Sequence, residues 1–260
     1  MIFDVAQFYL KFSSLNNCSF LHLTKKSFLM STAASTDSVD PIQEQYLTES
    51  CIQVDRNDGI IGPVSKRECH MNPLLHRAFS VFIFDKKRRM LLQKRSATKI
   101  TFPLVWTNSC CRFLLFTIFK IFFSHPLFGI EQNGVDGVKV AAKRKLLHEL
   151  GIDTINVGDM EVMGRFIYLA RSDSIWVEHE LDYAIIVTNF DASFKPNPEE
   201  VSEVRFVTPD ELNEMFIGGK ELFSPWFSLF YKFHWLKTWW EKLDDLKSVR
   251  ESDDVIHSLN

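Results

Sequence analysis

The run Thr107-Asn108-Ser109-Cys110-Cys111 breaks off and resumes twelve residues later as Ser124-His125-Pro126. With Arg112–Phe123 excised, Cys111 and His125 stand two residues apart, a spacing that puts a thiol acid/base beside a metal-bound imidazole. Two more histidines, His70 and His76, flank Asn72-Pro73-Leu74-Leu75 just ahead of an apolar run. Glu178 and Glu180 are two apart in a strand-like segment, so both carboxylates aim from one face into one site. Three imidazoles and two carboxylates make a mixed nitrogen and oxygen shell suited to Zn²⁺, Mn²⁺ or Fe²⁺. A cationic set accompanies them: Lys66, Arg95 and Lys99, with Arg144 and Lys145 on a helix. Arginine holds phosphate by a bidentate fork and lysine as a point charge. Glu149, at the end of that helix, is placed to hold Mg²⁺ bridging to a diphosphate. Taken singly these are ordinary features: a polar histidine, a wet strand face, core cysteines, solvated lysines. Their co-occurrence at the starts and ends of elements points to one closed site.

Those residues need a scaffold. Cys51–Asp55 reads as a strand before a turn at Asn57-Asp58-Gly59. Phe79–Phe84 and Met90–Lys94 read as a hairpin across the charged turn Asp85–Arg89. Val138, Ala141, Ala142 and Leu146 repeat at helical spacing within Asp136–Leu150, and Gly151 supplies the stop. Strands follow at Glu161–Ala170, Glu180–Val187 and Val204–Val207. Thr208-Pro209 opens a short helix, and Ser224-Pro225 opens another that runs through aromatic residues to about Leu243. Strands with one central and one C-terminal helix predict an α+β fold rather than a doubly wound sheet. Neither a Walker loop nor a Gly-x-Gly-x-x-Gly run is present.

The 260 residues suffice for one sizeable domain with decorations, or two small ones. A net charge of −3 gives no basic field, so nucleic acid is not an expected partner. Five cysteines, an odd number with an adjacent pair, fit a reducing, intracellular compartment better than a disulfide framework. No apolar run reaches the ~20 residues that span a bilayer. Residues 1–36 hold one acid, Asp4, and three lysines, loosely like an organelle transit peptide but without its arginines; Met30 is an alternative start. The chain therefore divides into an extension and linker over 1–48, a folded domain over 49–245, and a charged, solvated tail over 246–260.

Five separated blocks carry a family resemblance: Leu75–Ser80, Leu92–Pro103, Trp106–Cys111, Trp176–Tyr183 and Ser224–Phe227. From Glu49 to Leu243 the chain resembles type I isopentenyl-diphosphate delta-isomerases, within the Nudix superfamily. The resemblance implies a Nudix-like α+β fold and interconversion of isopentenyl and dimethylallyl diphosphate, by proton addition to the alkene and proton loss from the other side. It implies Cys111 and Glu180 as acid/base groups on opposite faces of the substrate, with Tyr168 beside Glu180 helping to move a proton. Trp226 would offer its π face to a carbocation. Lys66, Arg95, Lys99 and Lys145 would grip the diphosphate, with Mg²⁺ on Glu149. His70, His76, His125, Glu178 and Glu180 would hold a second divalent metal, Zn²⁺ or Mn²⁺. The implied enzyme is a monomer in the cytoplasm, with a mitochondrial or other organelle form if the extension is translated.

Two departures stand out. Where the Nudix hydrolase signature has further glutamates, this chain has Lys145 and His148, which disfavours a diphosphohydrolase. The family separates its cysteine and histidine by one residue; here Cys111 and His125 are separated by Arg112–Phe123, mostly Phe, Leu, Ile and Lys. That composition is what a T- and A-rich intron yields when translated in frame. A retained intron or gene-model error, a genuine loop that bulges out, and a non-catalytic isoform are the readings it leaves open.

Overall fold

The computed structural model describes residues 40–115 and 134–259. Its centre is β3 (His76–Asp85), buried at every position because strands flank it and layers cover both faces. β3 runs parallel to β8 (Val177–Phe190) and antiparallel to β6 (Cys110–Phe113). β7 (Met160–Arg171) extends the sheet beyond β8; β1 (Ser50–Val54) and β2 (Ile60–Ser65) extend it on the other side. β4 (Met90–Arg95) pairs with the far end of β3, as the expected hairpin, and also with β5 (Trp106–Thr107) and β9 (Val201–Val207). The sheet is mixed and the fold is α+β.

Period-two alternation along β3 divides its side chains between two cores. Phe79, Val81 and Ile83 pack with Val138, Ala141, Ala142 and Leu146 of α3 (Gly134–Leu150). Phe82 and Phe84 enter an aromatic layer with Phe227 and Phe230 of α5 (Pro225–Lys232) and Trp239 of α6 (Trp235–Glu241). Edge-on contacts recur there: Phe82 meets Phe230 and Trp239, each at 5.4 Å between ring centres.

Four sequence expectations need correction. The linker instead holds α1 (Pro41–Tyr46), capped by the Asp40 side chain and packed through buried Gln43 and Leu47. The expected single C-terminal helix is two, because His234 takes a left-handed φ of 63° and turns the chain so that Phe230 and Trp239 both reach Phe82. The tail is not a solvated extension: β10 (Ile256–Ser258) pairs in parallel with β7, and Leu246 and Leu259 are buried. A few apolar residues there anchor a stretch whose average composition is charged. The apolar segment does not bulge out from its first residue, because Arg112 and Phe113 continue β6 opposite Phe79 and Ala78, and Leu114 is buried. Its remainder, 116–123, lies outside the described residues.

Gly151 ends α3 at a left-handed φ of 68°, and a Cβ built there would stand 2.6 Å from the Lys195 carbonyl oxygen. Both the backbone angle and the contact oppose any side chain. Gly151→Ala should therefore lower stability by about 2 kcal/mol or more. Urea unfolding measures it; an unchanged midpoint would contradict this view of the helix end.

Candidate active site

A short helix and two neighbouring strands bring the histidines to a glutamate. Ser65 caps α2 (Lys66–Met71), its Oγ accepting from the Glu68 N–H at 3.2 Å, and the helix buries Cys69 and His70. His76 begins β3 and lies in register with Glu180 on β8. His70 Nδ1 donates to the Lys66 carbonyl and His76 Nδ1 to the Leu74 carbonyl, each at 2.9 Å. Each ring thereby turns its Nε2 toward the site; burial opposes charge on His76, but Cys69 and then Glu180 push its pKa well up, so a cation binding there would displace the Nε2 proton. The rings are 4.9 Å apart, and His76 Nε2 lies 3.6 Å from Glu180 Oε1. His76 Nε2 is fully buried without a hydrogen-bond partner. One donor atom each from His70, His76 and Glu180 fall within 4.8 Å of one another. A buried, unbonded ring nitrogen facing a carboxylate and a second imidazole fits a divalent cation.

Glu178 shares the inner face of β8, and Tyr168 connects the pair. Tyr168 Oη donates to Glu180 in a short hydrogen bond and lies 3.4 Å from Glu178 Oε2. Burial alone would raise the Glu180 pKa, but the His76 ring at 3.6 Å and the bond from Tyr168 outweigh it and hold the group down as a carboxylate. Tyr168 stacks on Trp226 at 5.9 Å, and the Arg95 guanidinium stands 5.6 Å from the Trp226 ring. Trp226 is fixed by its Nε1–H, which donates to Asn108 Oδ1 at 3.0 Å. Asn108 in turn donates to the Cys110 and Val81 carbonyls at 2.7 and 3.1 Å.

Cys111 sits on β6 opposite Ser80. Burial pushes its thiol far above the ordinary range, Arg95 opposes this, and Glu149, Glu178 and Glu180 reinforce it. The thiol is therefore protonated while Glu180 is ionised. Arg95 Nη1 lies 3.8 Å from the sulfur, and Arg95 is held by the carbonyls of Phe102 and Thr101 at 3.0 and 2.9 Å.

The cations crowd together at a cost that shows in their acidity. Burial, then repulsion from Arg112, lowers Lys66 to about 8 and Lys145 to about 7. Lys99 is lowered well below its usual value, again first by burial and then by Arg112, although it is bonded to Glu200. Glu149 receives Gln93 Nε2 at 3.2 Å, while its buried Oε1 has no hydrogen-bond partner. Lys66, Arg95, Lys99, Cys111, Glu180 and Trp226 line one narrow cleft of about 30 Å³, with His70, Tyr168 and Glu178. His76, Lys145 and Glu149 are buried but are not part of its lining. His125 lies outside the described residues.

Sequence reasoning passed over Arg112, Glu200, Glu49 and Asn108. Arg112 is buried, with Glu200 at 3.2 Å, Glu49 at 3.4 Å and Glu149 at 3.8 Å. Glu200 also binds Lys99 and so ties β9 to the cationic wall. No motif announces it; the signal is an acid at the start of a strand that pairs with Arg95. Two residues after Cys111, where the excised sequence would put His125, stands Phe113, its ring 6.1 Å from that of His70.

The NUDIX domain family matches residues 74–227. Isopentenyl-diphosphate Delta-isomerase I of Camptotheca acuminata is 41% identical over 250 residues, covering 88% of this chain and all of the relative. The chain belongs to the isopentenyl-diphosphate Delta-isomerase family of NUDIX-domain proteins. A second family member, Isopentenyl-diphosphate Delta-isomerase 1, chloroplastic, of Cannabis sativa, is 42% identical over 260 residues, 91% of this chain and 85% of the relative. Among solved structures, DR0079 of Deinococcus radiodurans aligns with 71% of this chain and 98% of its own at 17% identity and a TM-score of 0.46. Among the described residues of this isomerase-family chain, no helix is long and apolar enough to cross a membrane. His148, at one of the positions where a Nudix hydrolase has glutamate, is held to a pKa of about 4 by burial and then by Lys145 and Arg112. A neutral imidazole there supplies no carboxylate for water-activating metal chemistry.

Proposed function

We propose that the cleft interconverts isopentenyl diphosphate and dimethylallyl diphosphate. The observation that carries this is a protonated thiol, Cys111, and an ionised carboxylate, Glu180, lining one cleft roofed by Trp226. Moving a double bond by one position adds a proton at the alkene's terminal carbon and removes one from the carbon on the other side of the cation. The net proton change is zero, so the catalyst needs one group charged with a proton and one without. Cys111 and Glu180 form such a pair, exchanging roles with the direction of reaction.

Tyr168 carries the proton to or from Glu180 through their hydrogen bond. A tertiary carbocation would be quenched by water, so the buried Trp226 face, Tyr168 and the aromatic layer behind them exclude solvent and offer π electrons. The diphosphate is gripped by Lys66, Arg95, Lys99 and Lys145. His70, His76, Glu178, Glu180 and His125 would hold Zn²⁺ or Mn²⁺, and Glu149, whose buried Oε1 accepts no hydrogen bond and faces Arg112 at 3.8 Å, would hold Mg²⁺. Bound there, the ions supply positive charge, to the carboxylates in one case and to the diphosphate in the other. The enzyme acts as a monomer in the cytoplasm, with an organelle form where residues 1–29 are made; the extension is followed by the folded domain and its C-terminal strand.

Formation of dimethylallyl diphosphate from isopentenyl diphosphate, with Mg²⁺ and Zn²⁺ or Mn²⁺ supplied, tests the reading. Folded, soluble chain that yields none, both as written and without Arg112–Phe123, overturns it. The lysines add a pH signature. At pH 8, Lys145 at about 7 and Lys66 at about 8 are largely and half neutral, respectively. A diphosphate raises both values, so binding must take up protons. Calorimetric titration with an alkyl diphosphate ester, which unlike inorganic pyrophosphate is fully ionised at pH 8, in two buffers of different ionisation enthalpy, reads that uptake. Proton release, or none, would remove these lysines from the diphosphate site.

A further inference from the structure

The stretch that the sequence presents as a linker supplies a buried donor with no part in the chemistry described so far. α1 lies against the cationic end of the cleft. The Arg67 N–H donates to the Leu47 carbonyl at 3.1 Å, just where α2 begins with Lys66, and the Arg112 guanidinium stands 5.1 Å from the Tyr46 ring. Gln43 and Leu47, four residues apart, share the inner face of this short helix. Leu47 is the apolar residue expected there, but Gln43 is just as deep, only 1% exposed. Its side chain lines the same cleft as Lys66, Arg95 and Lys99. Its Nε2 is buried and has no hydrogen-bond partner.

A buried amide donor left without a partner costs stability, and an apolar side chain of the same shape would avoid that cost. The donor therefore points to a ligand that accepts, and the neighbouring cations fix that ligand's charge as negative. We propose that Gln43 is a diphosphate-binding residue, donating an Nε2–H to a phosphoryl oxygen of the substrate as α1 closes over the cleft. The assignment rests on the reading of the cleft as a diphosphate site. Lys66, Arg95 and Lys99 supply charge there; the neutral amide supplies direction, because its N–H bonds lie in a fixed plane while an ammonium rotates freely.

The cleft, at about 30 Å³, holds little more than water, so substrate enters only when a wall yields. α1 is suited to yielding, since the ion pair of Glu44 with Arg67 that ties it to α2 is exposed and contributes little. A water that serves the Gln43 donor in the free protein is exchanged for a phosphoryl oxygen in the complex.

The test is calorimetric affinity, with Mg²⁺ present, for isopentyl diphosphate, a saturated probe that cannot be isomerised. Gln43→Met keeps the length and helix propensity of the side chain but has no donor, and it should bind about tenfold or more weakly. Its thermal midpoint should stay level or rise by about 2–4 °C, because the unpartnered donor is gone. A residue that only holds α1 in place would lose affinity and midpoint together, and that result would overturn the proposal. Equal affinity would overturn it too, while leaving the function of the cleft in place. Where only the chain without Arg112–Phe123 binds the probe, it serves as the parent; binding by neither chain would overturn the diphosphate reading along with the role of Gln43. In ¹H–¹⁵N spectra of the parent, the side-chain amide pair that Gln43→Met lacks should move downfield in the proton dimension at saturation. No movement would count against the bond.

Discussion

Deletion of Arg112–Phe123 is expected to raise turnover of isopentenyl diphosphate by about 100-fold or more, an effect of the size that a single metal-shell partner can carry. Three physical changes combine. Ser124 and His125 replace Arg112 and Phe113 in the register of β6 opposite Phe79 and Ala78, which returns an imidazole to the place beside His70. Removal of Arg112 frees Glu149 and Glu200 from a guanidinium that now faces both, and leaves their charge to Mg²⁺ and Lys99. It also removes the second-largest cause, after burial, of the lowered pKa values of Lys66, Lys99 and Lys145, so more of the cationic wall is charged when the diphosphate arrives. Besides the side-chain bonds of Arg112, one backbone bond is lost: the Leu114 N–H to the Arg77 carbonyl, since Pro126 has no N–H to offer. Steady-state kinetics at saturating metal compares the two chains. Equal kcat and KM would mean that Arg112 and Phe113 do not obstruct the site.

Glu180→Gln in the shortened chain should cost about 1,000-fold in kcat, within the range expected for loss of a positioned acid/base group. Glutamine keeps the size of the side chain and still accepts from Tyr168, but it carries no exchangeable acid proton and contributes no charge beside His76. Since Glu180 is also a proposed metal ligand, zinc content and pyrophosphate affinity must be measured alongside. A fall in kcat with both retained assigns the loss to proton transfer. Activity within tenfold of the parent chain would transfer the acid/base role elsewhere, with Glu178 the neighbour that Tyr168 also faces.

The parts of this architecture legible in the sequence are those encoded locally. Val138, Ala141, Ala142 and Leu146 announce α3 by spacing, and Gly151 its end. Glu178 and Glu180 announce a shared strand face, although β8 begins three residues earlier and ends three later than its apolar stretch suggested. Arg112 and Glu200 were illegible for a different reason. Each is defined by a partner 88 residues away, and Arg112 opens a segment whose composition suggested a foreign loop. The tail misled because Leu246 and Leu259 are too few to outweigh their charged neighbours in any average, yet each is buried. Asn108 stood inside a motif quoted for its cysteine; its role in fixing Trp226 exists only once α5 folds back onto β5.

The central pairing of β3 with β8 has a kinetic side. Glu180 follows its neighbour His76 by about a hundred residues, and the two strands run parallel, so the core ladder cannot close locally. At about 5–20 residues per second, a ribosome completes β8 some 5–20 s after β3 emerges. Through that interval a ten-residue strand destined for complete burial waits with an open edge, an invitation to aggregation. A nascent chain of this kind is a natural client for chaperones, and weaker induction, which keeps fewer unfinished chains together, should yield more soluble protein than strong induction. The metal donors His76 and Glu180 meet only when the same ladder closes, so acquisition of the ion belongs to the end of folding rather than its beginning.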